Sequence, residues 1–511
     1  MKAISLPTLF RETAKQYSEL TAINFLGKRI SFQEIDQLTE NIAYNLTNRG
    51  IIKGDRVALY CINSDSFAIA YMGILKAGGV VIPLNLLQTP VEISYIMNDA
   101  GVKSLIHHET FDNAVEAARN NIPSLETVIR ISASKNSKDD DFNTILQQNN
   151  RASEIDIDPQ NDLAAILYTS GTTGKPKGAM LTHANLASNT DSVVKSIKVI
   201  PGKDILVAVL PMFHAFAATA AMLTPMLRGL TMLPIMKFEP ELLANTIQAS
   251  GASVLFAVPS MYNVLLNMSD EQVAKLSSLR FCVSGGAAMP EEIMKRFEEK
   301  FGILIYEGYG PTECSPVTNV NPIGGKRKAL SVGLPVEHVK LCIKDGEGNN
   351  LPNGEVGEIC VQGPNVMKGY WNRPEATAES FFGDWFRTGD LGKKDDEGYY
   401  YIVDRMKDMI IVNGMNVYPR IVEEVLYQHP DIAECAVIGI DDNLHGEIVA
   451  AYIATTSGKE LSASDLRVFC RDKLGRYQIP RKYFFVDALP KNATGKILKR
   501  ELKGQHKLET A

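Results

Sequence analysis

The sequence has few of the features that mark nucleic-acid-binding or secreted proteins. Its 511 residues include only two Trp, and 59 acidic residues against 53 basic ones give a formal net charge of −6. Non-specific binding to nucleic acid needs a basic face that neutralises phosphates, so this class is disfavoured. The seven cysteines are widely spaced and include no CxxC pair. This pattern predicts free thiols in a reducing, cytoplasmic compartment and argues against a disulfide framework or a zinc knuckle.

Long apolar runs are scarce. The chain reaches Arg11 and Glu12 without an apolar stretch long enough for a signal peptide. The exception is Val207–Leu227, which carries no formal charge over 21 residues, a length that can span a bilayer. Two prolines and His214 interrupt it, and Ala predominates over Leu and Ile. We therefore interpret it as a buried helix that lines an apolar cavity, with no transmembrane segment in the chain.

The length and the order of patterns predict two domains. Up to about residue 400, short β-branched runs alternate with helical patterns, which is typical of α/β sheets covered by helices. A small β-rich stretch closes this part. The last hundred residues change to an α+β pattern, with a helix predicted at Pro419–Tyr427 and a strand at Cys435–Ile440. We place the large N-terminal domain at residues 1–404 and the smaller C-terminal domain at residues 405–511.

The strongest local motif is the glycine- and hydroxyl-rich run Tyr168–Gly178 (YTSGTTGKPKG). It follows an apolar strand and precedes a helical pattern whose N-cap is predicted at Thr182. Glycine lets backbone N–H groups approach an anion, and hydroxyl and lysine side chains add donors and positive charge. A flexible surface turn seldom needs so many donors. Pro176 excludes a P-loop. The predicted polyphosphate ligands are Thr169, Ser170, Gly171, Thr172, Thr173, Gly174 and Lys177.

Two further blocks carry oxygen ligands. In Tyr306–Glu313 (YEGYGPTE), Thr312 and Glu313 follow a glycine-rich turn and suit Mg²⁺ bound to a phosphate. Taken alone, Glu313 would serve equally well as a helix cap. In Trp385–Asp390 (WFRTGD), the carboxylate of Asp390 can accept both hydroxyls of a ribose, although a turn Asp is the commoner explanation of such a residue.

With Tyr401–Asp408, Asn413–Pro419 and Pro490–Arg500, these blocks resemble the adenylate-forming superfamily of acyl-CoA synthetases, luciferase-like enzymes and non-ribosomal adenylation domains. The blocks occur in the family's order over nearly the whole chain. The resemblance implies two half-reactions. A carboxylate attacks the α-phosphate of ATP-Mg²⁺ to give an acyl-adenylate and pyrophosphate, and a thiol then displaces AMP. It also implies a mobile C-terminal domain that rotates about a hinge near Lys407 between these steps.

The resemblance assigns a role to individual residues. Lys496 becomes the catalytic lysine of adenylation, which draws carboxylate and α-phosphate together and neutralises developing charge. Gly414 flanks the pantetheine channel of the thiolation state. One departure is Ile421, where relatives often carry Glu, and no role is assigned there. The remaining implied contacts are Thr312 and Glu313 with the phosphates and Mg²⁺, Tyr309 with adenine, Asp390 and Arg405 with the ribose and phosphate, and Gly285, Gly286, Ala287, Gly308 and Gly310 as pocket wall.

The substrate prediction depends on the segment around His214. Amino-acid-activating relatives usually carry an Asp at this position, but Val207–Leu227 contains no carboxylate. A buried ammonium would therefore lack a partner, which is costly. Alanines leave volume and methionines adapt to an acyl chain, so we predict a medium- or long-chain fatty acid. In acyl-CoA relatives the aromatic residue at the His214 position gates the channel between the two steps.

The sequence leaves two candidates for the thiol that accepts the acyl group. The block around Lys407 resembles that of CoA ligases, which favours CoA. A carrier protein's phosphopantetheine arm is the alternative, and the enzyme would then load a biosynthetic assembly line. A nucleotide-binding protein without catalysis is the alternative of a different class, and the presence of Lys496, Glu313 and Asp390 argues against it.

Overall fold

The computed structural model describes residues 3–132, 140–169, 175–456 and 458–509, with side chains up to residue 504. The predicted phosphate ligands Ser170, Gly171, Thr172, Thr173 and Gly174 lie outside the described residues.

The strands of the described residues follow in chain order. They are β1 Thr21–Phe25, β2 Lys28–Ser31, β3 Arg56–Tyr60, β4 Val80–Pro83, β5 Val102–His108, β6 Thr127–Ile131, β7 Asp140–Asp141, β8 Leu163–Thr169, β9 Lys177–Thr182, β10 Ile205–Ala208, β11 Thr231–Pro234, β12 Val254–Ala257, β13 Phe281–Ser284, β14 Ile305–Tyr309, β15 Asn319–Val320, β16 Leu334–Pro335, β17 Lys340–Lys344, β18 Gly357–Gln362, β19 Phe381–Phe382, β20 Trp385–Lys394, β21 Tyr400–Arg405, β22 Ile410–Val412, β23 Met415–Val417, β24 Ile432–Asp442, β25 Gly446–Thr455 and β26 Lys482–Phe485.

The α-helices connect and cover these strands. They are α1 Leu6–Gln16, α2 Phe32–Asn48, α3 Asp65–Lys76, α4 Pro90–Ala100, α5 Asp112–Arg119, α6 Phe142–Leu146, α7 His183–Ile197, α8 Thr224–Arg228, α9 Pro240–Ser250, α10 Pro259–Leu265, α11 Asp270–Ala274, α12 Glu291–Phe301, α13 Pro374–Glu379, α14 Pro419–Tyr427, α15 Ala463–Arg471 and α16 Lys499–Glu509. Three 3₁₀ turns cover Glu109–Phe111, Thr312–Cys314 and Met406–Asp408, and a π-helix covers Ala217–Leu223.

Two mainly parallel sheets dominate the N-terminal part. One has nine strands in the order β16-β15-β14-β13-β12-β10-β11-β1-β2, and the other has seven in the order β7-β6-β5-β3-β4-β8-β9. Strands β4, β12 and β13 are buried at every residue. Such strands are expected where helices cover both faces of a parallel sheet. The predicted α/β class is confirmed.

Two smaller sheets complete the chain. Strands β17-β18-β20-β19 form an antiparallel sheet in which β21 also pairs with β20, and this is the predicted β-rich stretch. The C-terminal sheet has the order β23-β22-β25-β24, with β26 beside β25. It has an apolar core of its own, in which Leu426 of α14 and Leu466 of α15 pack with Val437 of β24. The boundary at residue 404 and the movement of residues 405–511 stay predictions.

The uncharged segment Val207–Leu227 is not a single helix, which corrects the prediction. Val207 and Ala208 end strand β10, an irregular segment with Pro211 follows, and the π-helix then leads into α8. Pro225 lies in the first turn of α8, which continues directly from the π-helix. Every residue of the π-helix is buried. Among the helices of the described residues, none is long and apolar enough to cross a membrane.

The glycine-rich run also differs from its prediction, because a strand separates it from the helix. Strand β9 returns antiparallel along β8, with Thr169 opposite Lys177, so the run connects the two strands of a hairpin. Helix α7 begins only after β9. Its predicted N-cap is present, since the Thr182 hydroxyl accepts the Asn185 N–H at 3.1 Å and the Asn185 side chain accepts the Thr182 N–H at 2.8 Å.

Candidate active site

A cavity of about 760 Å³ lies at the carboxyl ends of the parallel strands, where C-terminal residues close over them. Pro83 ends β4, Thr169 ends β8 and Tyr309 ends β14, and all three line the cavity. Open α/β sheets bind ligands at this edge. The predicted site residues that line it are Thr169, Lys177, His214, Gly285, Gly286, Gly308, Tyr309, Gly310, Thr312, Glu313, Arg405 and Lys496.

Three predicted residues do not line the cavity. Asp390 is buried directly behind two residues that do, Tyr309 and Arg405. Ala287 follows the lining pair Gly285-Gly286 but does not reach the cavity. Gly414 is exposed in the turn between β22 and β23, where it and Asn413 have positive φ angles of 79° and 50°. An Asn-Gly pair of this kind is typical of a two-residue hairpin turn.

Tyr309, Asp390 and Arg405 form one connected group. The Tyr309 hydroxyl donates to Asp390 Oδ2 at 2.6 Å, and Arg405 Nε lies 3.0 Å from Asp390 Oδ1. Strands β20 and β21 place Asp390 opposite Arg405. The Asp390 carboxylate raises the pKa of Arg405, and burial together with this carboxylate raises the pKa of Tyr309 well above its usual range. Each carboxylate oxygen has a second lone pair for a ribose hydroxyl.

Glu313 has a partner that the sequence analysis missed. The Tyr370 hydroxyl donates to Glu313 Oε1 at 2.8 Å, and Lys177 Nζ lies 5.3 Å from the centre of the Tyr370 ring. Burial raises the pKa of the Glu313 carboxyl, and the hydrogen bond from Tyr370 opposes this rise. Tyr370 lies 57 positions from Glu313 in the sequence. The only local feature that could have marked it as a site residue is its place in the Gly-Tyr-Trp run after Lys368.

The oxygen donors of Thr312 and Glu313 fit a Mg²⁺ ion. Mg²⁺ takes oxygen ligands and is usually held by one or two carboxylates together with substrate phosphates. Glu313 offers a carboxylate and Thr312 a hydroxyl, and both line the cavity. Met367 N–H donates to the Glu313 carbonyl at 2.7 Å and so fixes the backbone of the turn that carries both side chains.

Lys496 reaches the cavity from the C-terminal domain. Burial, followed by the charge of Arg405, lowers the pKa of its ammonium to about 8. Among the ion pairs of the described residues, none involves Lys496. Its cation is therefore available to an anion bound in the cavity, where removal from water strengthens such an interaction.

His214 forms part of the cavity wall as a neutral ring. Burial and the charge of Lys496 lower the pKa of this imidazole to about 4. The Phe216 N–H donates to Nδ1 at 3.3 Å, so the ring proton lies on Nε2. The other lining residues of this segment and of α7 are Val193, Ser196, Ile197, Phe213, Ala215, Phe216 and Ala220, and this part of the described lining contains no carboxylate.

Glycine is required at Gly310 because of a close approach. A Cβ atom at this position would overlap the carbonyl oxygen of Pro316. The same loop carries Thr312 and Glu313, so the absence of a side chain lets the chain fold back tightly beneath them.

Comparisons with known proteins agree with this geometry. The model of the AMP-binding enzyme family matches residues 10–371, and that of the AMP-binding enzyme C-terminal domain matches residues 421–496. A long-chain-fatty-acid–CoA ligase of Bacillus subtilis (strain 168) is 36% identical over 98% of this chain and 94% of its own length. A feruloyl-CoA synthase of an Amycolatopsis species is 34% identical, over 96% of both chains.

A solved relative has been observed in two states. The ATP-bound crystal structure of MatB from Rhodopseudomonas palustris, 32% identical, superposes with a TM-score of 0.91 over 99% of both chains. The apo structure of the same protein covers the same share of both chains but gives a TM-score of 0.80. The present structure is thus more similar to the ATP-bound form of this relative than to its apo form.

Proposed function

Because the chain belongs to the family of AMP-binding enzymes, we propose that it is an ATP-dependent acid–thiol ligase that activates a medium- or long-chain fatty acid and transfers the acyl group to CoA. This proposal rests on one observation: Lys496, Arg405 and Glu313 line the same cavity, next to an apolar wall. Curated relatives with this activity match nearly the whole chain.

The first half-reaction joins two anions. A carboxylate oxygen of the fatty acid attacks the α-phosphorus of ATP, the bond to the bridging oxygen breaks, and pyrophosphate leaves with its electrons. Lys496 and Arg405 offset the repulsion between carboxylate and phosphates, and such preorganised charges act strongly in a cavity that excludes water. Bound Mg²⁺ would supply further positive charge on the phosphates, held by Glu313 and Thr312. We assign the adenosine to the group Tyr309, Asp390 and Arg405.

The second half-reaction has the opposite requirement. The CoA sulfur attacks the acyl carbon and the thiol proton is lost to water. The bond from this carbon to the phosphate oxygen breaks, and AMP leaves with its electrons. The thiol therefore needs an open path to the acyl carbon. We infer that residues 405–511 rotate about Lys407, withdraw Lys496 and bring Gly414 to the cavity. The greater similarity to an ATP-bound relative supports the assignment of the present arrangement to the adenylation step. One rotating domain can serve both steps because Lys496 and Gly414 lie beyond the same hinge.

The apolar wall supports a fatty acid as the substrate. The described lining from α7 and the π-helix offers no carboxylate for a substrate ammonium, and Ala215 and Ala220 leave space. The seven cysteines are all free, six of them buried, which supports our inference that the enzyme acts in a reducing, cytoplasmic compartment.

The test is the formation of AMP and thioester from ATP-Mg²⁺ with a panel of acids. Saturated acids from short to long chains and one hydroxycinnamic acid are each supplied with CoA alone or with a pantetheinylated carrier protein alone. We expect a CoA thioester with an optimum among medium or long chains. Turnover with the carrier protein only would replace CoA as the acceptor, and turnover with the aromatic acid only would overturn the fatty-acid assignment.

A further inference from the structure

Hydrogen bonds within the loop hold together the segment that carries Lys496. The Asn492 side chain accepts the N–H groups of Thr494 at 3.0 Å and Lys496 at 2.9 Å, and the Asn492 N–H donates to the Lys496 carbonyl at 2.9 Å. Gly495 has a φ angle of +81°, a conformation that side chains other than glycine rarely adopt. Because the loop is a compact unit, a few contacts outside it are enough to fix where the Lys496 side chain begins.

One of these contacts comes from the N-terminal domain. The Ser260 hydroxyl donates to the carbonyl of Gly495 at 3.0 Å, one residue before Lys496. The fit is close, since a Cβ on Gly495 would lie 2.7 Å from Ser260 Oγ and 3.3 Å from Val258 Cγ2. Ser260 stands in the first turn of α10, which follows β12, and Phe256 of that strand lines the cavity. The segment that lines the cavity with Phe256 thus also holds the Gly495 carbonyl, next to Lys496, through Ser260.

The same helix makes a second bond to the C-terminal domain. Asn263 Nδ2 donates to the carbonyl of Ala433 at 3.0 Å. Ser260 and Asn263 are three residues apart and therefore lie on one face of α10. Both acceptors are backbone carbonyls, so both bonds depend on where the C-terminal domain sits. Neither Ser260 nor Asn263 is part of the cavity lining.

We propose that Ser260 is a positioning residue for adenylation, and that Ser260 and Asn263 together hold the C-terminal domain in the arrangement that places Lys496 in the cavity. This inference rests on the proposed function. The bond to Gly495 exists only while Lys496 is in the cavity, so it acts in the first half-reaction and has no part in the second, in which Lys496 is withdrawn. Ser260 thereby distinguishes the two steps, although it does not touch the reacting atoms.

The experiment measures each half-reaction separately on the full-length enzyme. Acid-dependent pyrophosphate release without CoA reports the first step, and acyl-CoA formation from preformed acyl-adenylate and CoA reports the second. Loss of one neutral hydrogen bond predicts that Ser260→Ala slows the first step about fivefold, while the second step keeps its wild-type rate. Asn263→Ala is expected to act in the same direction. Ser250→Ala is the matched control, since its hydroxyl bonds only within α9.

A second variant, at Gly495 on the C-terminal side of the contact with Ser260, distinguishes loss of this contact from a folding defect in Ser260→Ala. Gly495→Ala places a methyl group against Ser260 Oγ and strains the loop, so it is expected to reproduce the selective loss of the first step. Equal losses in both steps, or no loss in either, would overturn the positioning role. The wild-type enzyme tests the proposed function separately. If it forms no CoA thioester from ATP and a fatty acid, the proposed function fails. If it does form the thioester and Ser260→Ala leaves the rates of both steps unchanged, only the positioning role fails.

Discussion

At the scale of single residues, the account depends on the charge of Lys496. Adenylation needs its cation, and the ammonium loses its proton as pH rises through a pKa of about 8. We therefore expect kcat/KM of the first half-reaction, which reports the free enzyme, to be level below this pH and to fall above it by about tenfold per pH unit. The pH profile of pyrophosphate release checks this expectation.

The matched variant for this profile is Lys496→Arg. A guanidinium keeps its charge up to about pH 12. The fall in kcat/KM above pH 8 should therefore disappear from the activity that this variant retains. A fall that persists unchanged in this variant would assign the titration to another group.

Tyr370 belongs to the same scale. Its hydrogen bond orients the carboxylate of Glu313, and loss of such a support typically weakens metal binding by about 10- to 100-fold. We expect Tyr370→Phe to raise the Mg²⁺ concentration at half-maximal adenylation by about tenfold. A Mg²⁺ titration at saturating ATP and acid measures this. Tyr477→Phe, at an exposed position outside the cavity, serves as the control, and an unchanged requirement in Tyr370→Phe would contradict the role.

Site residues that stand in sequence motifs could be predicted from the sequence, and isolated site residues could not. Glu313, Asp390 and Lys496 stand in blocks whose composition matches their chemistry. Tyr370 and Ser260 act through contacts between segments 57 and 235 residues apart, and nothing in their local sequence records those contacts.

At the scale of secondary structure, the π-helix shapes the acyl part of the cavity. Ala220 lines it with only a methyl group. We expect Ala220→Leu to occupy space that a long chain needs, and to lower kcat/KM for long acids by about tenfold or more. Activity on acids from short to long, with pyrophosphate release as the readout, tests this.

Short acids provide the control within the same variant. Their activity should be retained, and a thermal melt separates a blocked cavity from overpacking, which can cost about 1–3 kcal/mol of stability. Equal loss for short and long acids would mean that the π-helix does not limit chain length.

Elements with strong local signals were predictable, including the strand predicted at Cys435–Ile440, which lies within β24. The helix Pro419–Tyr427 and the cap at Thr182 follow from local patterns. Strand β9 was missed because its pairing with β8 is a tertiary contact. The single helix predicted over Val207–Leu227 was wrong because uniform apolarity does not separate a buried strand from a buried helix.

At the scale of the whole molecule, the proposed two-step reaction places a hinge at Lys407, which lies in the turn Met406–Asp408. Proline fixes φ near −65°, which restricts the backbone change that a hinge must absorb. We expect Lys407→Pro to retain adenylation and to lose acyl transfer to CoA. Lys407→Ala is the matched variant, because it removes the same ammonium and leaves the backbone free. Equal acyl transfer in both variants would contradict the hinge.

The central claim is that one cavity couples ATP cleavage to thioester formation through Lys496. The most direct measurement follows AMP, pyrophosphate and acyl-CoA together in the wild type and in Lys496→Ala, with Lys15→Ala as an exposed control. We predict equal amounts of the three products from wild type and control, and a loss of at least about 100-fold in the rate of pyrophosphate release in Lys496→Ala, as for a key electrostatic group. Undiminished pyrophosphate release in Lys496→Ala, or AMP formed without thioester in the wild type, would contradict the account.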